Sequence, residues 1–141
     1  MTSALPAKPV VYVVDDNPGV LDSLRFLLET DGFEVETFRS GLALLKSVAS
    51  NQADCFVIDY KMPDIHGIDL ANRLRSRDIT APIILITGSD DDNIPAKAAV
   101  VGVHYVLLKP DFEESLVARG RHSASQSRRR SQRRQRPPVN Y

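Results

Sequence analysis

Apolar residues in this chain fall into two rhythms. Short unbroken runs occupy Val10–Val14 (VVYVV), 55–58 (CFVI), Ile83–Thr87 (IILIT) and Tyr105–Leu108 (YVLL). Runs of this length, rich in β-branched residues, predict strands, the first three of them buried. Between them the apolar positions recur every three or four residues, the spacing of one helical face. The first helix is predicted from Asn17, a good N-cap, through Pro18 at the first helical position and a stripe of Val20, Leu21, Leu24, Leu27 and Leu28, to a stop at Asp31-Gly32. Residues 33–38 (FEVETF) alternate apolar and polar, the pattern of an edge strand with one wet face. Ser40 is placed as the cap of a second helix with Leu42, Leu45 and Val48 turned inward, and Ile68, Ala71 and Leu74 define a third whose Arg73, Arg75 and Arg77 face solvent. Asp90, Asp91 and Asp92 suit the positive N-terminal end of a fourth helix, Pro95 is tolerable in its first turn, and Gly102 stops it. Phe112, Leu116 and Val117 support a short fifth helix.

Five strand–helix units in strict alternation predict an α/β protein, a doubly wound parallel sheet with right-handed crossovers. In such a sheet the functional crevice lies beyond the carboxyl ends of the strands. Asp15 and Asp16 follow the first strand, Asp59 the third, Thr87 closes the fourth and Lys109 follows the fifth. Met62-Pro63-Asp64 supplies turn chemistry after Asp59, and Gly67 lets the backbone reverse. Taken singly, Asp15 or Asp16 could cap the first helix and Thr87 could merely end its strand. Taken with Asp59 and Lys109 they line one crevice. Three carboxylates gathered there repel one another, an arrangement that persists only if a cation neutralises it or a pKa rises sharply. A hard, oxygen-seeking ion such as Mg²⁺ takes one or two carboxylates and leaves positions open for phosphate oxygens. A lysine and a hydroxyl beside it complete the equipment for stabilising a phosphoryl group in transfer.

Length and charge narrow the picture further. At 141 residues, 43% of them hydrophobic, the chain has one core of ordinary size and no room for two domains. No apolar run is long enough to span a bilayer, and MTSALPAKPV lacks the basic start and apolar core of a signal peptide, so a cytoplasmic protein is expected. Cys55, the single cysteine, falls inside an apolar strand and reads as a buried structural thiol. The net charge of zero conceals a split: residues 1–120 hold all 18 acidic side chains and seven fewer basic ones, whereas residues 121–141 hold seven arginines and no acid. Low in hydrophobics and rich in Arg, Ser and Gln, that basic tail is expected to stay disordered beside an acidic domain at 1–120. His66, His104 and His122 show no metal-ligand spacing and are assigned to surface or loops.

Asp15-Asp16, the DYKMPDIHG run from Asp59, Thr87-Gly88 and Lys109-Pro110 together resemble the response-regulator receiver domain of two-component signalling, over residues 9 to about 119, and most nearly the receivers of FixJ-like transcription regulators. The resemblance implies a flavodoxin-like (βα)5 fold of strand order 2-1-3-4-5. It implies that Asp59 is the phosphoacceptor. Asp16, Asp59 and the backbone carbonyl of Lys61 would bind Mg²⁺, with Asp15 acting through water. Thr87 and Lys109 would hold the phosphoryl oxygens, and the Lys109-Pro110 bond would be cis. The chain contains no recognisable kinase element, so the phosphoryl group is expected from a phosphohistidine on a sensor histidine kinase or from a small acyl phosphate, and no enzyme in the ordinary sense is expected. A downstream phosphotransfer or effector protein is the second implied partner. The protein would act as a monomer or a phosphorylation-dependent homodimer, without membrane contact.

The sequence departs from the family in three places. The aromatic of the family's activation switch lies three residues before the lysine, and that position is Val106 here; Tyr105 is one place early, which in a strand points it to the opposite face. The fifth helix meets Gly120 with no apolar stripe after Val117, and no DNA-binding module follows. A stand-alone receiver is therefore the leading expectation. The alternative is a receiver whose arginine-rich tail is the output, contacting nucleic acid or another polyanion. A phosphatase with an aspartyl nucleophile is disfavoured, because such enzymes place a second Asp two residues after the first and Lys61 stands there.

Overall fold

The computed structural model describes residues 8–48, 52–88, 91 and 93–108. In chain order the elements are β1 (Val10–Val14), α1 (Pro18–Thr30), β2 (Glu34–Phe38), α2 (Gly41–Ser47), β3 (Cys55–Asp59), α3 (Gly67–Ser76), β4 (Ile83–Thr87), α4 (Asn93–Val100) and β5 (Tyr105–Leu108). All strands pair in parallel in the order β2-β1-β3-β4-β5, as expected. The fifth helix, Lys109-Pro110 and the basic tail lie outside the described residues.

Side chains alternate across a strand, so β1, β3 and β4 feed two cores. On one face Val11, Val13, Cys55, Val57, Ile84 and Ile86 meet Leu21, Leu24 and Leu28 of α1. On the other, Tyr12, Val14, Phe56, Ile58, Ile83 and Leu85 meet Leu44 and Leu45 of α2, Leu70, Ala71 and Leu74 of α3, and Ile94 and Ala98 of α4. Val106 packs on this second face and Tyr105 on the first, so the two residues do point oppositely. None of the described helices is long and apolar enough to cross a membrane.

Local chemistry sets the helix ends. The Asn17 side chain accepts from the N–H groups of Gly19 (2.9 Å) and Val20 (3.3 Å), satisfying two of the donors that every helix start leaves open. Gly102, at φ +84°, closes α4 in the left-handed conformation that glycine adopts without strain.

Three expectations need correction. Leu42 is not inward but 45% exposed, while Leu44 and Leu45 are buried. Helix α2 has seven residues and opens at a buried Gly41, so its inner face runs through 41, 44 and 45 and leaves Leu42 a quarter-turn away. Arg75 and Arg77 do not simply face solvent. Arg75 donates from Nη1 to the carbonyls of Ile79 and Ala81, both at 2.8 Å, and from Nη2 to Gly102 at 2.6 Å. Arg77 Nη1 donates to Leu45 at 2.6 Å. A long side chain at a helix end reaches carbonyls that the turn leaves without partners, which periodicity alone does not reveal. Finally, the polar face of β2 is only partly wet: Glu34 and Glu36 are exposed, but Phe38 turns its ring onto Tyr12, with centroids 5.4 Å apart.

Candidate functional site

The sheet register assembles the site. Val14 pairs with Ile58 and Asp59 with Ile86, so Asp15, the residue just after β1, comes level with Asp59 while Thr87 lies one step further along β4. Strands this apolar are buried to their last residue, and the polar groups at their ends are buried with them: Asp15 is 3% exposed, Asp59 7% and Thr87 2%. Asp16 is exposed. Carboxylate oxygens of Asp15, Asp16 and Asp59 all lie within 4.8 Å of one another.

Hydrogen bonds fix the frame. The Asp15 amide donates to the Phe38 carbonyl at 3.1 Å, and its Oδ1 accepts from the Asn17 amide at 2.9 Å. After Asp59, the Tyr60 amide donates to Ile86 at 2.8 Å, and the Gly67 amide returns to the Tyr60 carbonyl at 2.9 Å, closing the β3–α3 loop. Only glycine fits at that closure. A Cβ on Gly67 would stand 2.7 Å from the Asp59 carbonyl oxygen and 2.6 Å from Leu85 Cδ1. Met62 and Ile65 plug the loop into the core, while Lys61 is exposed.

Sequence reading gave Asp64 only a turn. Its carboxylate in fact accepts from the amides of Leu42 at 3.0 Å and Gly41 at 3.5 Å, tying the loop that follows Asp59 to the start of α2. Burial would raise the Asp64 carboxyl, but the amides of Leu42, Gly41 and Ile65 outweigh it and hold it below the ordinary value. An acid at a position 22 residues from its partner has no local sequence signal. The Cys55 thiol, by contrast, is pushed up to about 12 by burial and by nearby Asp54, as suits a structural thiol.

Chemically, Asp15, Asp16 and Asp59 form an oxygen-only donor set. Two like charges no more than 4.8 Å apart repel by about 3 kcal/mol even at an effective dielectric constant near 20. The buried pair Asp15 and Asp59 therefore favours a bound cation, and hard carboxylate donors suit Mg²⁺. Of the residues singled out in the sequence, Asp15, Asp16, Asp59 and Thr87 gather at one edge; Lys61 lies just beyond Asp59, and Lys109, the residue after the end of β5, lies outside the described residues.

A five-stranded doubly wound sheet with acids and a threonine at its carboxyl edge has the form of a receiver domain. The chain belongs to that family: the profile described as the response regulator receiver domain matches residues 11–121. It is 33% identical over 114 residues to the transcriptional regulatory protein FixJ of Bradyrhizobium diazoefficiens, covering 81% of this chain and 56% of that protein. It is 34% identical over 108 residues to the response regulator protein TmoT of Ectopseudomonas mendocina, covering 77% and 49%. The chain thus spans about half the length of these relatives. Among solved structures, the chemotaxis protein CheY4 of Vibrio cholerae superposes with a TM-score of 0.76 at 25% identity, covering 83% of this chain and 99% of that one.

Proposed function

We propose that this receiver domain is a phosphoacceptor in a two-component phosphorelay, a signalling module rather than an enzyme with a separate substrate. Asp59 takes a phosphoryl group from the phosphohistidine of a sensor histidine kinase and passes the signal to a downstream phosphotransfer or effector protein. The supporting observation is the gathering of Asp15, Asp16 and Asp59 within 4.8 Å at the edge where Thr87 ends β4. One Asp59 carboxylate oxygen attacks phosphorus in line; the P–O bond forms as the P–N bond breaks, and the electron pair leaves on the imidazole nitrogen. Asp16, Asp59 and the Lys61 carbonyl would hold Mg²⁺, with Asp15 acting through water. When bound, that ion neutralises charge on the phosphoryl oxygens. Thr87 donates its hydroxyl to one phosphoryl oxygen, and Lys109 supplies positive charge to another. Asp15, held by the Asn17 amide, keeps the acidic pocket in place around the acceptor together with Asp16. Such a module works in the cytoplasm, as a monomer or as a dimer formed on phosphorylation. The alternative reading, with residues 121–141 as a nucleic-acid output, draws no support from the relatives.

Acetyl phosphate with Mg²⁺ should label the wild-type chain with an acid-stable, base-labile acyl phosphate that Asp59→Asn and chelation both abolish. Undiminished labelling of Asp59→Asn would refute the assignment.

A further inference from the structure

Helix α1 buries Leu21, Leu24 and Leu28 and presents Asp22, Phe26 and Glu29 on the opposite side. These three are spaced i, i+4, i+7, so they form one outward stripe with the ring between two acids. Phe26 is 74% exposed, and among the described residues it is the only exposed Phe or Tyr. Neither the Asp22 nor the Glu29 carboxylate has an ion-pair or hydrogen-bond partner among them. The only cation of the helix, Arg25, is turned away onto β2, where its Nη2 lies 3.4 Å from the Val35 carbonyl and from Thr37 Oγ1. An aromatic ring flanked by free carboxylates is complementary to arginine, whose planar guanidinium lies flat on a ring and also forks onto carboxylates.

We propose that the Asp22–Phe26–Glu29 face of α1 binds the chain's own arginine-rich segment, residues 121–141. Charge favours this occupant: that segment carries seven arginines and no acid, against an excess of seven acids in residues 1–120. Length permits it. Even with the short helix expected around 112–117 counted at about 1.5 Å per residue, the twenty residues from the end of β5 to Arg128 reach about 55 Å, more than the roughly 35 Å diameter of a domain this size. Spacing fits as well, because Asp22 and Glu29 are about 10 Å apart along the helix axis. Three or four residues of extended chain cover that distance, so the arginines at 128–134 can engage both acids while another covers the ring. Helix α1 starts two residues after Asp16, so the contact lays positive charge along the approach to the carboxylate cluster. The proposal stands whether or not Asp59 accepts phosphate.

A nitroxide on Ser131→Cys tests it in the full chain, since the natural Cys55 is buried and does not compete for the reagent. At low salt the amides of 22–29 should lose intensity more than those of α3, and they should recover at about 0.5 M salt, where the Debye length falls below about 5 Å. The charge reversal D22K/E29K should abolish the loss, and the surface variant F26A should reduce it. Broadening spread evenly over the domain, centred elsewhere, or unchanged in D22K/E29K would overturn the proposal. So would broadening that arises only when untagged labelled chain is mixed with tagged chain, because the contact would then join two copies.

Discussion

Gly67→Ala should disable the site without touching any of its polar groups. The methyl would meet the Asp59 carbonyl oxygen at 2.7 Å, Leu85 Cδ1 at 2.6 Å and Tyr60 Cα at 3.0 Å. Leu85 is fully buried and two of the three clashing atoms belong to the backbone, so rotamer adjustment cannot relieve the contact. The start of α3 must therefore recede from β3 by roughly half an ångström, or Asp59 must move with its carbonyl. Overpacking of this kind costs about 1–3 kcal/mol, which for a domain near this size lowers the melting temperature by roughly 4–12 °C. Misplacement of a reacting group by up to an ångström costs on the order of 10–100-fold in rate. Two assays on one variant separate these effects: urea denaturation for stability, and acetyl phosphate labelling well below the melting temperature for reactivity. Gly88→Ala is the control, because a Cβ there meets nothing within 4 Å although the position adjoins Thr87. If Gly67→Ala matches wild type in both assays, the close-approach reasoning is wrong.

Arg75→Met, which keeps the stem but removes three bonds to the carbonyls of Ile79, Ala81 and Gly102, should lose about 2–4 kcal/mol in urea unfolding. The folded Asp64 carboxyl lies below its ordinary value of 3.8, so its contribution is present above that pH and lost as pH falls through the folded value; Asp64→Asn should lower stability modestly at pH 7 and flatten the acid limb of a stability–pH profile below about pH 4, where the two proteins converge. Cys55, buried and pushed up to about 12, should resist a thiol reagent at pH 8 until denaturant is added, and rapid reaction in buffer would contradict its burial. With Val106 at the switch-aromatic position, the phosphoryl mimic beryllofluoride with Mg²⁺ should shift amides in the loop after Thr87 more than those around Val106, because valine is stiff about χ1 and has no ring to swing; equal shifts would show that the face responds without its aromatic.

The fold was readable where a single rule governs a segment. Unbroken apolar runs gave β1, β3 and β4 because a strand covered on both faces has no polar positions to hide, while β5, last in the strand order and only partly buried, was marked by its run alone. Asn17 and Ser40 marked helix starts because capping acts over two or three residues. The acid cluster followed from strand ends and topology together. What escaped were interactions between residues distant in sequence: Asp64 on α2, Arg75 on the turn at Gly102, Asp54 accepting the Val10 amide at 2.8 Å. The inner face of α2 was misjudged for a related reason. Seven residues carry barely two turns of pattern, so packing against Ile65 and Leu70 rather than periodicity decides which leucine turns in.

That short helix also has a bearing on how the domain breathes. Seven residues are too few for a helix to hold itself, and both ends of α2 are fastened by residues flanking α3: Asp64 holds its first amides and Arg77 the Leu45 carbonyl. Opening α3 would release both fastenings at once. Helices α2 and α3 should therefore exchange their amide hydrogens as one cooperative unit, and the peptide segment beginning at Asp59 lies between them. Asp59, the proposed acceptor, then sits on the β strand, yet the stretch immediately after it belongs to the part of the molecule that opens as a pair.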